Sequence, residues 1–164
     1  MIDTKVDFNP NVVTRIRDGP SKDALMYDHR VFFSRQEVLC YKYLRSIGIP
    51  AKKMHMEYRV GGKHFDFFPL KRVFWEHHPI LLKFGKDPVR YAEERRAVLD
   101  AEGYGHIPLV VSCVMFKGRE DVRRRMNLVG VDFRTGNVPE SGITYIVDLK
   151  EEMCIELLME PLLF

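Results

Sequence analysis

The chain has 164 residues, with 26 Lys and Arg against 23 Asp and Glu and a net charge of +3. Its length favours one domain with a substantial core. A composition of 46% hydrophobic and 30% charged residues excludes a disordered chain, and the apolar runs are far too short for a membrane span. The small positive charge admits a polyanionic partner without demanding one. Cys40, Cys113 and Cys154 form neither a CxxC pair nor a disulfide framework, and no basic-then-apolar leader opens the chain. The expected setting is therefore a reducing cytoplasm, with no membrane partner.

Residues 1–30 carry Pro, Gly and polar punctuation ("NP", "DGPSKD") and read as an irregular N-terminal arm. "SRQEVLCYKYLRSIGIP" then predicts a helix over 34–46. Ser34 and Glu37 have capping-box spacing, Val38, Tyr41, Leu44 and Arg45 follow one face, and Gly48 with Pro50 ends it. "MHMEYRV", "KHFDFF" and "RVFWEHH" read as three sequential strands. Gly61-Gly62 makes a hairpin turn between the first two, and Pro69-Leu70-Lys71 breaks the second from the third. "DPVRYAEERRAVLDAEGYG" is a second helix, capped by Asp87, with Pro88 at its first position and Gly103 at its end. Its Val89, Ala92, Arg96 and Leu99 lie on one side. "HIPLVVSCVMF" lacks polar alternation, as a buried strand does, and "GREDVRRRMNLV" predicts a third helix. "VGVDF" and "ITYIVDL" are expected to pair as a hairpin around the loop 134–142. The apolar tail "CIELLMEPLLF" needs cover from this chain or from another copy, so a homo-oligomer is expected. Helix, three strands, helix, strand is an α/β or α+β order.

Two carboxylates stand inside segments that ought to be buried: Asp66 in the second strand and Glu76 in the third. A strand carboxylate commonly faces solvent or pairs with a cation, and Lys63, Lys71 and Arg72 are nearby. The alternative is a shared divalent cation. Two unpaired buried carboxylates repel and titrate high. A hard cation such as Mg²⁺ takes oxygen ligands and supports phosphoryl chemistry.

With these residues in place, the chain resembles the PD-(D/E)XK nuclease superfamily, the restriction-endonuclease-like fold. That family has an αβββαβ core, an Asp on the second core strand and D/E-x-K on the third. Asp66 matches the first acid and Glu76 the second; His77 is the x, and His78 stands where the family has lysine. Glu37 matches the acid that many members carry on the first helix. Tyr91, Arg95 and Arg96 match the helix that presents side chains toward the site. The resemblance spans roughly residues 30 to 112, with 113–164 as a C-terminal extension. It implies an Mg²⁺- or Mn²⁺-dependent endonuclease acting on DNA. Glu37, Asp66, Glu76 and the backbone carbonyl of His77 would hold the metal, His78 would orient or activate water, and Tyr91 and Arg95 would support the phosphate or the site. A nucleic-acid-binding module that lost cleavage, and a structural protein whose acids form salt bridges, are the alternatives.

Arg119, Arg123, Arg124 and Arg125 crowd the third helix, and Lys83, Lys86 and Arg90 flank the start of the second. They read either as a phosphate-contacting surface or as a solvated face paired to Glu120 and Asp121. His55, His64, His77 and His78 have no familiar zinc spacing, and no Walker loop or Ser-His-Asp pattern is present.

Overall fold

The computed structural model describes residues 11–16, 24–79 and 87–138 together with the strands at 144–147 and 154–157. Helix α1 (Arg35–Ser46) starts where its cap predicts: Ser34 Oγ accepts the Glu37 N–H at 3.1 Å. Three strands follow, β4 (Met56–Val60), β5 (Lys63–Phe67) and β6 (Phe74–His77). Gly61 and Gly62 turn β4 into β5 at φ +53° and +81°. Positive φ at both central residues is the requirement of a type I′ hairpin turn, and glycine meets it without steric cost. Helix α2 (Pro88–Ala101) opens on Asp87, whose Oδ1 accepts the Val89 N–H at 2.9 Å. It leads into β7 (Leu109–Ser112), which is buried along its whole length. Helix α3 (Arg119–Val129) stops at Gly130, φ +76°.

β4 to β9 form a six-stranded sheet in sequence order, with β8 at Thr144–Val147 and β9 at Cys154–Leu157. β4, β5 and β6 are antiparallel neighbours; β6, β7 and β8 run parallel; β9 returns antiparallel. Successive side chains on a strand face opposite ways, and β6 uses both faces. Trp75 joins Tyr41, Tyr43 and Leu44 of α1 and Val122 and Met126 of α3 in one core. Phe74 joins Ala92 and Leu99 of α2, with Leu109 and Val111 of β7, in the other. The sheet is thus covered by α1 and α3 on one face and by α2 on the other. Trp75, completely buried, stacks on Phe133 with centroids 4.8 Å apart, and its indole N–H reaches Ser112 Oγ at 2.9 Å.

Two expectations fail. Within the described part of the N-terminal segment, 11–16 and 24–32, the chain is not an irregular arm: β1 (Thr14–Arg15), β2 (Leu25–Tyr27) and β3 (Arg30–Phe32) form a small antiparallel sheet. Its second turn is Asp28-His29, φ +49° and +60°, a left-handed pair made without glycine. Phe32 and Leu25 bury against α1, and Tyr41 hydrogen-bonds Asp28. Nor does 129–133 pair as a hairpin with the described part of the later strand, 144–147. Val131 and Phe133 enter the core under α1 and α3, and the chain turns tightly through an Asp132–Asn137 bridge with Gly136 at φ +79°. β8 instead lies parallel to β7 and takes β9 as its antiparallel partner. The rest of the apolar tail lies outside the described residues. Among those residues, no helix is long and apolar enough to cross a membrane.

Candidate functional site

β5 and β6 hold one residue pair in register, Phe67 with Trp75, and then part. Past that point backbone donors lose the strand opposite, and a buried donor must find another acceptor. The two acids supply it. The Asp66 N–H donates to Glu76 Oε1 at 2.7 Å, and the His77 N–H donates to Asp66 Oδ2 at 2.8 Å. Carboxylates sit in these strands because they close the fork between them. Each spends one oxygen on the backbone.

Around Asp66 the acids converge. Glu37 from α1, Glu57 from β4 and Asp66 each offer a carboxylate oxygen, all within 4.8 Å of one another. Glu57 lies opposite Asp66 because the hairpin register that pairs Val60 with Lys63 also sets Met56 against Phe67 and Tyr58 against Phe65. It adopts φ +50°, a region an L side chain enters at a cost, and leaves 37% of its side chain exposed. The sequence reading missed Glu57, although the two-residue turn at Gly61-Gly62 is the signal that finds it.

The proximity of these groups shows in their titration. Burial pushes Glu37 up to about 7, with Glu57 adding to it, while the Phe33 N–H and the Ser34 hydroxyl pull it back. Burial lifts Asp66 well above the ordinary carboxylate range, helped by Glu76, Glu37 and Glu57. Glu76 is raised by burial despite Arg95, Tyr91 and the Asp66 N–H, which all favour its charge.

Glu76, expected as a ligand beside Asp66, stands outside the group formed by Glu37, Glu57 and Asp66. It is only 4% exposed, and its Oε2 is already engaged. Tyr91 donates its hydroxyl to that atom at 2.6 Å, and Arg95 Nε stands 3.2 Å away, an ion pair off the line of a hydrogen bond. The Arg95 guanidinium lies over the Tyr91 and Phe65 rings, with a further bond to the His64 carbonyl at 3.1 Å. Tyr91 and Arg95 therefore hold Glu76, and through it the Asp66 backbone. Burial, then the Glu76 charge, drive the Tyr91 hydroxyl pKa strongly up, so it remains a donor.

The adjacent histidines part company. His78 meets the Tyr91 ring edge-on at 5.2 Å and joins Lys63, Arg90 and Arg95 around an open cleft of about 660 Å³. Its N–H extends the β6–β7 ladder to the Ser112 carbonyl at 2.8 Å. His77 turns its ring to the other face, stacked on Phe116 at 4.6 Å. There a chain of donors fixes its tautomer. The Trp75 N–H donates to Ser112 Oγ, whose hydroxyl, 2.6 Å from His77 Nδ1, then donates to that nitrogen; His77 Nε2 donates to Gln36 Oε1 at 2.9 Å. Gln36 completes the link with two bonds to the Phe116 backbone, both at 2.8 Å. Burial above all holds His77 neutral, lowering its pKa to about 3. This network under the site, Gln36–His77–Ser112–Trp75, carried no motif in the sequence.

The arginines of α3 are largely neutralised by their own helix. Arg119 and Arg123 pair with Glu120 at 3.5 and 3.4 Å, and Arg124 and Arg125 with Asp121 at 3.0 and 3.2 Å. Arg125 is only 8% exposed, which removes it from a phosphate-contacting surface. Arg90 pairs with Glu94 at 3.5 Å. Arg96 serves the fold rather than the site: its guanidinium bonds the Tyr104 and Ile107 carbonyls at 2.8 and 2.7 Å, tying down the turn after α2. Lys83 and Lys86 lie outside the described residues. Comparison of the chain with protein-family models, with curated proteins and with solved structures gives no match.

Proposed function

We propose that this chain is a divalent-metal-dependent nuclease of the PD-(D/E)XK type, hydrolysing phosphodiester bonds in DNA. The observation that carries the reading is the convergence of Glu37, Glu57 and Asp66 at the fork of β5 and β6, beside Glu76 and within the element order α1-β4-β5-β6-α2-β7. The donor set fits the metal: three carboxylate oxygens are hard ligands of the kind Mg²⁺ or Mn²⁺ takes. Burial first, and the neighbouring carboxylates after it, raise Glu37 and Asp66, and a bound cation relieves both costs.

In this reading Glu37, Glu57 and Asp66 would hold the ion, which when bound would supply charge neutralisation at phosphorus and a more acidic water. Glu76 fixes the Asp66 backbone, while Tyr91 and Arg95 fix Glu76. His78, in the cleft beside Tyr91, stands where the family has lysine and orients or deprotonates water. A second reading, a DNA-binding module of the same fold without cleavage, draws on the engagement of Glu76 by Arg95 and on the missing lysine.

Incubation with plasmid, linear, single-stranded and branched DNA in Mg²⁺, Mn²⁺ or EDTA separates the two. Metal-dependent products are expected, and Asp66→Asn is expected to slow their formation on the order of a thousandfold. Asparagine keeps an acceptor for the His77 N–H, so the fold persists while the charge is lost. Absence of products with every substrate and metal rejects the nuclease and leaves the binding module.

A further inference from the structure

Two single-turn helices meet at the β4–β5 end of the sheet: Ala51–Lys53, just before β4, and Pro69–Lys71, after β5. Between them lies a cavity of about 540 Å³ lined by Lys52, Lys53, His55, Leu70, Lys71 and Arg72. That lining contains no acid. Lys52, Lys53, Lys71 and Arg72 are all exposed, and none has an ion-pair partner among the described residues. Arg72 is oriented by a bond to the Arg134 carbonyl. The contrast with α3 is direct: four arginines there share two carboxylates, whereas four cations here share none. A concave surface lined by one sign of charge focuses the field and concentrates counter-ions of the opposite sign.

The backbone beneath these cations is both strained and firmly seated. His55, Leu70 and Lys71 adopt φ +40°, +54° and +55°, values that carry a steric cost for residues with a Cβ. Such conformations persist where surrounding structure enforces them, and they gather at binding sites. Here the Phe68 N–H bonds the His55 carbonyl at 2.8 Å, and Met54, Phe68 and Val73 are buried beneath the turns. Burial, then Lys71 and Lys53, lower the His55 pKa, as expected for cations crowded without counter-charge.

The hairpin register relates this cavity to the acids. Glu57 lies opposite Asp66, and His55 opposite Phe68, two residues further along the same ladder. The cavity and the acids therefore border the same hairpin, within reach of one run of duplex backbone, whose phosphates repeat about every 3.4 Å along a strand.

We propose that the cavity formed by Lys52, Lys53, Lys71 and Arg72 is a phosphate clamp for duplex DNA, gripping the backbone on the same hairpin that carries Glu57 and Asp66. The assignment of the partner rests on the nuclease reading above. The clamp reads charge and spacing rather than base sequence, because phosphate contacts position a duplex without specifying it.

The test is fluorescence anisotropy of a labelled 20-base-pair duplex, measured in EDTA between 50 and 200 mM salt. The proteins are the wild type, a variant with Lys52, Lys53, Lys71 and Arg72 all replaced by alanine, one with the three lysines replaced by arginine, and the Arg123→Ala/Arg124→Ala pair. Each lost phosphate contact flattens the slope of log K against log salt by about 0.9. The alanine variant is therefore expected to lose about two to four from that slope and at least tenfold in affinity at 100 mM salt. The arginine variant should keep the slope, and the α3 pair should stay within about twofold of the wild type. A Lys52→Ala/Lys53→Ala protein provides the same reading at half strength if the fourfold variant fails to fold. A wild type that does not bind duplex, or an alanine variant with unaltered slope, overturns the clamp. Because binding is read in EDTA, the clamp and the nuclease fail separately. Cleavage with a normal slope in the alanine variant sinks the clamp alone. A charge-dependent slope without cleavage sinks the nuclease alone.

Discussion

Replacing Glu37 by glutamine should stabilise the metal-free protein at alkaline pH. Glu37 is lifted from 4.5 to about 7 by burial and by Glu57. At 1.36 kcal/mol per pH unit, carrying its charge in the folded state costs about 3 kcal/mol. A raised carboxyl pKa gives stability that is fully present below about 4.5 and lost as pH rises through about 7. His77 acts in the opposite direction. Its pKa falls from 6.5 to about 3, so its contribution is present above 6.5 and lost as pH falls through about 3. The two overlap between about 4.5 and 6.5, and the wild-type curve alone mixes them. The difference between wild type and Glu37→Gln removes His77 from the comparison. Thermal unfolding in EDTA should show the two proteins equal near pH 4.5. At pH 8 the variant should lead by up to about 3 kcal/mol, or about 6–12 °C in Tm for a chain of this size. Adding Mg²⁺ at pH 8 should raise the wild type and narrow that gap, since a ligand present at a hundred times its Kd adds about 2.7 kcal/mol. A Glu37→Gln protein no more stable than wild type at pH 8 in EDTA would refute the burial of the Glu37 charge beside Glu57 on which the site is built.

Two further substitutions probe the supports of the site. Ser112→Ala leaves the Trp75 N–H and His77 Nδ1 without their shared partner and should cost about 2–4 kcal/mol in denaturant unfolding; a loss under about 0.5 kcal/mol would contradict the hydrogen-bond chain. Gly61→Ala places a Cβ 2.9 Å from Val98 Cγ1 at φ +53° and should cost about 1–2 kcal/mol; an unchanged unfolding midpoint would show that the β4–β5 turn does not govern the register that brings Glu57 to Asp66.

Much of the core was legible because it is written in local signals. Ser34 and Asp87 cap their helices by bonding the first-turn N–H groups, and Gly61-Gly62 turns the chain through conformations that other residues avoid. These effects act over a few residues, so the residues announce them. Arg125 illustrates the limit. In sequence it is one of four arginines on a helix, and only the packing of α3 shows that it is the buried one.

The sequence by itself determined the order of helices and strands from 34 to 112, the alternating faces of β6 and the presence of Asp66 and Glu76 at the centre of that order. Periodicity, caps and turn chemistry are short-range properties, and each of these features depends on nothing further. Tertiary structure decided which acids converge. Asp66 reaches Glu57 across a hairpin and Glu37 from a helix 29 positions away in the numbering, while Glu76 turns to Tyr91 and Arg95. It also decided that β8 joins β7 in parallel and that four cations without ion-pair partners among the described residues gather at the turns around Lys53 and Lys71, while the arginines of α3 are paired. The reason is the same in each case: a carboxylate or an ammonium acts through its distance and exposure to other charges, and those are set by segments that meet only when the chain folds.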